Sequence, residues 1–244
     1  MSKSDKTRVV FGYHPVCELL RHRPGEVVEL LCSAKPGKRR QAVEALCREN
    51  GLPLSPAAGA RLDFEASGQA HNGFVALVRG GAEGARPGPD PDLWVLVEDI
   101  QDARNLGALL RVCEGAGVAK VLVRDRGSAP LTAGAIKTSA GAAEWQPMER
   151  ITNSAQEIER LQKQGFWAYG ADADGSAPWN VDLTGKVLLC IGGEADGLRE
   201  RTRKTCDGLV GLPMRGKVAS LNLATAASAL LYEAVRQRSI AAKA

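Results

Sequence analysis

Apolar positions along the chain follow two rhythms. Compact runs rich in valine, isoleucine and leucine read as strands: 26–32 (EVVELLC), 73–79 (GFVALVR), 93–99 (LWVLVED), 119–125 (AKVLVRD), 166–172 (FWAYGAD), 186–193 (KVLLCIGG) and 208–213 (GLVGLP). Between them, apolar residues recur at helical spacing. In 37–50 they are Ala42, Val43, Leu46 and Cys47, and Gly51 stops the run. Further helices are predicted from about Asn105 to Ala116, ending at Gly117, over a patch at 131–143, and around 197–204. The segment 153–165 has Asn153 as cap and Gly165 as stop, and a long last helix begins near Ser220, a plausible N-cap.

This order divides the chain. Residues 80–92 (GGAEGARPGPDPD) carry Gly and Pro without periodic apolar positions and read as a linker. It separates a small α/β unit, 1–79, from a larger one, 93–244. In the second, buried strands alternate with helices, which predicts an α/β domain with a mostly parallel sheet covered on both faces. Ligands of such sheets gather at the carboxyl edge of the strands.

Composition narrows the class. The 244 residues are 44% hydrophobic and 25% charged, proportions of an ordinary globular protein rather than a disordered one. No apolar run approaches the ~18 residues that span a bilayer, and the start, MSKSDKTR, lacks the apolar centre of a signal peptide. The expectation is a cytoplasmic protein without membrane attachment. Cysteines 17, 32, 47, 113, 190 and 206 form no C-x-x-C pair and read as buried thiols, with no disulfide and no metal site. His14, His22 and His71 all precede residue 80, so the larger unit lacks the commonest general base. The net charge of +4 sits in the first third, where residues 1–79 hold 12 Lys/Arg against 8 Asp/Glu, while 80–244 hold 20 of each. Its densest run is Lys35, Lys38, Arg39 and Arg40, either a solvated helix face or a contact for nucleic-acid phosphates.

Three stretches each follow a strand. In 98–111 (EDIQDARNLGALLR), Arg104, Ala108 and Arg111 share a helical face, the two guanidiniums ~10 Å apart along the axis. They form either a surface pair or a cradle for a polyanion. In 188–200 (LLCIGGEADGLRE), Gly192 and Gly193 allow close approach to the backbone, and Glu194 places a carboxylate just past a buried strand. In 211–238, Gly211 to Lys217 read G-x-x-x-x-G-K, but Val218 stands where a P-loop needs the Mg²⁺-binding hydroxyl. Ser220 and Asn222 then lie at the mouth of the last helix.

Together these stretches resemble the signature motifs of the SPOUT-superfamily RNA 2′-O-ribose methyltransferases of the TrmH/SpoU type. The matching residues are N-L-G-x-x-x-R from Asn105 to Arg111, G-G-E-A-D-G-L from Gly192 to Leu198, and L-P-M…S-L-N from Leu212 to Asn222. F-G-Y-H-P-V (11–16) and H-N-G-F-V-A (71–76) are similar to the L30e-like RNA-docking domain of the RlmB-like branch, which modifies a guanosine of 23S rRNA. Gly193 and Ala195 depart from the usual second motif, and Arg104 stands where Pro or His is common.

The resemblance implies a C-terminal α/β knot (a deep trefoil) and a homodimer with the last helix in the interface. It also implies S-adenosylmethionine held by Gly192, Gly193, Leu212, Met214 and Leu221, largely through backbone atoms. Arg111, Asn105, Glu194, Ser220 and Asn222 become the catalytic set. Arg111 orients the ribose, Asn105 positions the substrate, Glu194 holds Arg111 or the RNA, and Ser220 and Asn222 complete the pocket. Lys35, Lys38, Arg39, Arg40 and Arg104 become RNA contacts. The same residues leave a tRNA substrate, or a non-catalytic RNA-binding protein, as alternatives.

Overall fold

The computed structural model describes residues 7–79, 90–218 and 220–242. The first unit runs β1 (Thr7–Phe11), α1 (Tyr13–His22), β2 (Val27–Ser33), α2 (Lys38–Glu49), β3 (Ser55–Ala57), α3 (Gly59–Glu65) and β4 (Phe74–Arg79). Its sheet has the order β1-β4-β2-β3, with β4 antiparallel to both neighbours and β3 parallel to β2. Helix α2 buries Val43 and Cys47 of the four predicted apolar positions, and Gly51 follows it with φ 65°. Burial among neighbouring thiols pushes the Cys47 thiol up to about 11.

The second unit runs β5 (Asp90–Val97), α4 (Ala103–Gly115), β6 (Val118–Arg124), α5 (Ala133–Thr138), β7 (Met148–Ile151), α6 (Ser154–Gln162), β8 (Trp167–Ser176), β9 (Val187–Ile191), α7 (Glu200–Thr205), β10 (Gly208–Val210) and α8 (Leu223–Ala241). The sheet order is β10-β8-β9-β5-β6-β7, and every pairing in it is parallel. Alternate residues therefore feed two layers. Leu93, Val95, Val97, Leu189 and Ile191 pack with Leu109 of α4 and Leu230 of α8, and this cluster continues to Val10 and Leu19 of the first unit. Leu96, Leu122, Leu188 and Cys190 pack on the opposite face with Ile158 and Leu161 of α6. Each such side chain, fully buried, contributes about 1.5–3 kcal/mol. Asn153 caps α6 through Gln156 N at 3.3 Å, as its position in the sequence predicts.

Several boundaries differ from the sequence reading. Of the predicted linker, residues 80–89 lie outside the described residues, and 90–92 are the start of β5. The patch at 131–143 is α5 followed by a separate 3₁₀ turn, Ala142–Glu144. The last helix is capped by Asn222 rather than Ser220: the Asn222 Oδ1 accepts from the backbone N–H of Ala224 at 3.0 Å and Thr225 at 3.4 Å. Five cysteines are buried and Cys206 is half-buried. Among the described residues, no helix is long and apolar enough to cross a membrane.

The units meet where α1 lies against the segment after α5. Arg23 pairs with the buried Glu144 carboxylate, and Trp145 Nε1 donates to Glu18 at 3.0 Å. Gly141, at φ 103°, passes so close that a Cβ there would lie 2.6 Å from the Glu18 Cγ. A buried ion pair is costly to half-remove, so this contact fixes one arrangement of the two units.

Candidate active site

All three motifs open at one edge of the parallel sheet, because β5, β9 and β10 run in the same direction. After β5 the chain moves outward to β6, whereas after β9 it moves the other way, toward β10. The crevice between β5 and β9 is thus a topological switch point.

Two carboxylates at the end of β5 tie the edge together. Glu98 is 1% exposed and accepts from Thr202 Oγ1 at 2.9 Å and from the Arg199 backbone N–H at 3.2 Å. Asp99 sits at φ 50° and accepts from Arg199 Nε at 2.8 Å and Arg124 Nη1 at 3.1 Å. That bond to Asp99 raises the Arg199 pKa, so the guanidinium is held charged. Asp102 then caps α4 through Arg104 N at 2.7 Å.

After β9, Gly193 and Gly197 exchange two backbone hydrogen bonds of 3.0 and 3.1 Å, forming a tight loop that carries Glu194 to the surface. A Cβ on Gly192 would collide with the Gly197 carbonyl and Leu198 N, so only glycine fits beneath this loop. Across from it, Asn105 Nδ2 donates to Glu194 Oε1. Asn222 Nδ2 in turn donates to Asn105 Oδ1 at 3.1 Å. One residue from each motif therefore joins a single hydrogen-bonded chain.

This chain stands beside a cavity of about 280 Å³. Gly192, Gly193 and Glu194 border it on one side, and Leu212, Met214, Ser220 and Leu221 on the other. Leu223, Ala226 and Leu230 of α8 form an apolar wall, and Ala171, Asp172 and Ala173 of β8 complete the lining. It combines apolar surface with backbone made accessible by glycine, as small-molecule sites do.

Not every candidate gathers here. Arg111 does not border the cavity; it is exposed and without an ion-pair or hydrogen-bond partner among the described residues, and it lines a second groove between α4 and α1. Arg104 is exposed and paired with Asp102 at 3.1 Å. Lys35, Lys38 and Arg39 are exposed, with the Arg39 guanidinium 5.4 Å from the centre of the Tyr13 ring. Arg40 is instead held by Glu44 at 2.7 Å and by the Ser33 carbonyl at 3.1 Å, which directs it along its own unit. Glu98, Asp99, Arg124 and Arg199 are site-shaping residues that the sequence reading did not single out; the acidic pair closing an apolar strand was the available signal.

Asn222 has two separable duties. Asn222→Ala removes the helix cap and is expected to destabilise the protein by about 1 kcal/mol. Asn222→Asp keeps the capping oxygen but loses the donor to Asn105, so its urea-unfolding midpoint is expected to stay near wild type while the bond between motifs is gone.

Comparison with known proteins agrees with this geometry. Residues 92–232 match the model of the SpoU rRNA methylase family, and residues 9–81 match that of the RNA 2′-O ribose methyltransferase substrate-binding domain. The chain is 36% identical to the 23S rRNA (guanosine-2′-O-)-methyltransferase RlmB of Pseudomonas putida, over 98% of this chain and 99% of that one. It is 37% identical to RlmB of Xanthomonas axonopodis pv. citri, over 96% and 98%. The crystal structure of the SpoU methyltransferase AviRb from Streptomyces viridochromogenes in complex with AdoMet superimposes with a TM-score of 0.79 at 26% identity, covering 96% of this chain and 91% of AviRb. With three motifs converging on one glycine-lined cavity and both family models matched in order, the chain belongs to the SpoU rRNA methylase family.

Proposed function

We propose that this protein methylates the ribose 2′-hydroxyl of a guanosine in 23S rRNA, using S-adenosylmethionine. The observation that carries the reading is the chain Glu194–Asn105–Asn222 at the glycine-lined cavity. The residues present suit that cofactor: Gly192 opens backbone to an adenosyl group, Leu212, Met214 and Leu221 offer apolar contact, and Glu194 answers a positive charge. When bound, the cofactor supplies an electrophilic methyl group on a sulfonium.

The chain's own residues must then activate a weak nucleophile. Arg111 stays protonated, since a guanidinium has a pKa above ~12, so it serves as an electrostatic partner of the developing alkoxide rather than as a base. The proton passes to a substrate phosphate or a water. Asn105, fixed at both ends by Glu194 and Asn222, holds the substrate against this centre, and Ser220 closes the pocket. The exposed Lys35, Lys38 and Arg39 dock phosphates of the RNA, with Arg40 and Arg104 in lesser roles because each is already paired.

We read residues 1–79 as an L30e-like RNA-docking domain and 90–244, from the start of β5, as the methyltransferase domain with a trefoil knot. The loops after β9 and β10 bordering one cavity, before α8 turns back onto α4, support the knot. A homodimer through α8 accounts for the exposed Tyr232 and Ile240 on that helix. It also accounts for Arg111 standing off its own cavity, because a second copy can supply the guanidinium. A substrate in the ribosome implies the cytoplasm.

The test is a ribose-methylation map of RNA from cells with and without this protein. One 23S guanosine is expected to lose its methyl group and regain it on complementation. A lost methyl in tRNA instead, or no loss together with no calorimetric binding of S-adenosylmethionine, overturns the reading.

A further inference from the structure

The groove between α1 and α4 has a volume of about 440 Å³ and shares no lining residue with the glycine-lined cavity. Its floor is the turn 139–142, locked by Ser139, whose hydroxyl donates to the Ile136 carbonyl at 2.6 Å and accepts from Ala143 N at 3.1 Å. Ala140 at φ 53° and Gly141 at φ 103° shape that floor. On one side stand His14 and the Trp145 indole, whose N–H is fixed on Glu18. Glu18 is itself occupied, by Trp145, by Arg21 at 2.5 Å and by His22 at 3.4 Å. The other wall is α4, which presents Arg111 and Glu114.

These last two are the unusual feature. They lie three residues apart on one helix, a spacing at which opposite charges normally pair. Yet both are exposed, and neither side chain has an ion-pair or hydrogen-bond partner among the described residues. The wall therefore offers a forked cation and, about one helical turn (~5 Å) further along, a two-oxygen acceptor. That separation suits the two ends of a single nucleoside, its sugar and the hydrogen-bonding edge of its base. A carboxylate pairs best with two adjacent N–H donors, and guanine alone among the four bases presents a ring N1–H beside an exocyclic N2 amine. Aromatic side chains hold unstacked bases by their faces; His14 is the exposed ring here, since the Trp145 indole already packs against His22, ring centres 3.3 Å apart. Next to the groove, the Tyr13 and His14 rings are 5.0 Å apart and Arg39 lies over Tyr13, which leads the exposed cations of α2 to its mouth.

We propose that Glu114 is the specificity-determining residue of this enzyme: its carboxylate accepts from N1–H and N2–H of the reacting guanosine, stacked in this groove, while Arg111 faces the ribose of the same nucleotide. The proposal rests on the RNA methyltransferase reading given above. The test compares RNA carrying guanosine with RNA carrying inosine, which lacks the N2 amine, at the modified position. For the wild-type dimer, inosine is expected to lower kcat/KM by roughly 10–100-fold. In Glu114→Ala the guanosine rate falls and the guanosine-to-inosine ratio drops to about 1; Glu114→Gln, with one acceptor oxygen, lies between.

A merely structural role would lower both rates and leave the ratio unchanged, and that result overturns the proposal. So does a Glu114-dependent loss produced by inosine at a neighbouring position. His14→Ala, at an exposed site, is expected to raise KM for RNA with kcat little changed, and an unchanged KM counts against the stacking wall. Should the wild-type protein methylate no guanosine RNA at all, the methyltransferase reading fails first, and the two failures are distinct.

Discussion

Arg111→Ala is expected to lower the methyl-transfer rate by about 10²–10³-fold, the usual effect of removing a preorganised partner of a developing oxyanion. Calorimetric affinity for S-adenosylmethionine is expected to stay at the wild-type value, because Arg111 does not border the cofactor cavity. Arg111→Lys separates two requirements. If charge alone matters, lysine restores much of the rate; if the forked geometry matters, it does not. A mixing experiment locates the guanidinium. Arg111→Ala and Glu194→Ala are each expected to be nearly inactive alone; in the proposed homodimer, co-refolding makes about half of the dimers mixed, and a mixed dimer holds one intact site of two only if Arg111 acts across the interface. Roughly a quarter of wild-type activity should then return if each site draws Arg111 from the other copy. No recovery would place Arg111 and Glu194 in the same protomer's site.

The second large effect is at Gly192. The added Cβ of Gly192→Ala meets backbone atoms of Gly197 and Leu198, not the movable end of a side chain. The loop carrying Glu194 must shift as a unit, since Gly193 and Gly197 are hydrogen-bonded to each other. Overpacking of this kind costs about 1–3 kcal/mol in stability, and the displaced backbone is expected to weaken S-adenosylmethionine binding by about 100-fold or more (~2.7 kcal/mol). Gly185→Ala serves as the control: a Cβ there meets nothing within 4 Å, so both melting temperature and cofactor affinity should hold. Equal effects at the two positions would remove the cradle from the account of the site.

What could be read in the sequence was what depends on near neighbours. Asn153 and Gly165 bracket α6 because caps and stops act within one turn. The alternation Leu93, Val95, Val97 announces a strand with two buried faces. The three motif loops converge because a parallel sheet puts all its strand ends on one edge.

What escaped depends on distant partners. Glu98 and Asp99 matter through Arg199 and Thr202, a hundred residues on. Ser220 and Asn222 are both competent caps in isolation, and the structure uses Asn222, the residue that also meets Asn105 across the fold. Asp90 and Pro91 look like tether, yet they begin β5, whose register with β6 breaks between Asp90 and Trp94 and so tolerates a proline. Arg111 fell short of the cavity for a geometric reason. Helical spacing gives a direction around an axis, not the wall that the axis faces.

The sheet order also dictates a timetable for biosynthesis. β5 is central, yet one of its two neighbours, β9, begins roughly 90 residues after β5 ends. At ~5–20 residues per second, a ribosome leaves the apolar flank of β5 without that neighbour for roughly 5–20 s. Nascent chains are therefore expected to expose that flank during synthesis, and refolding from denaturant is expected to be slow, as for other folds with non-local strand pairing.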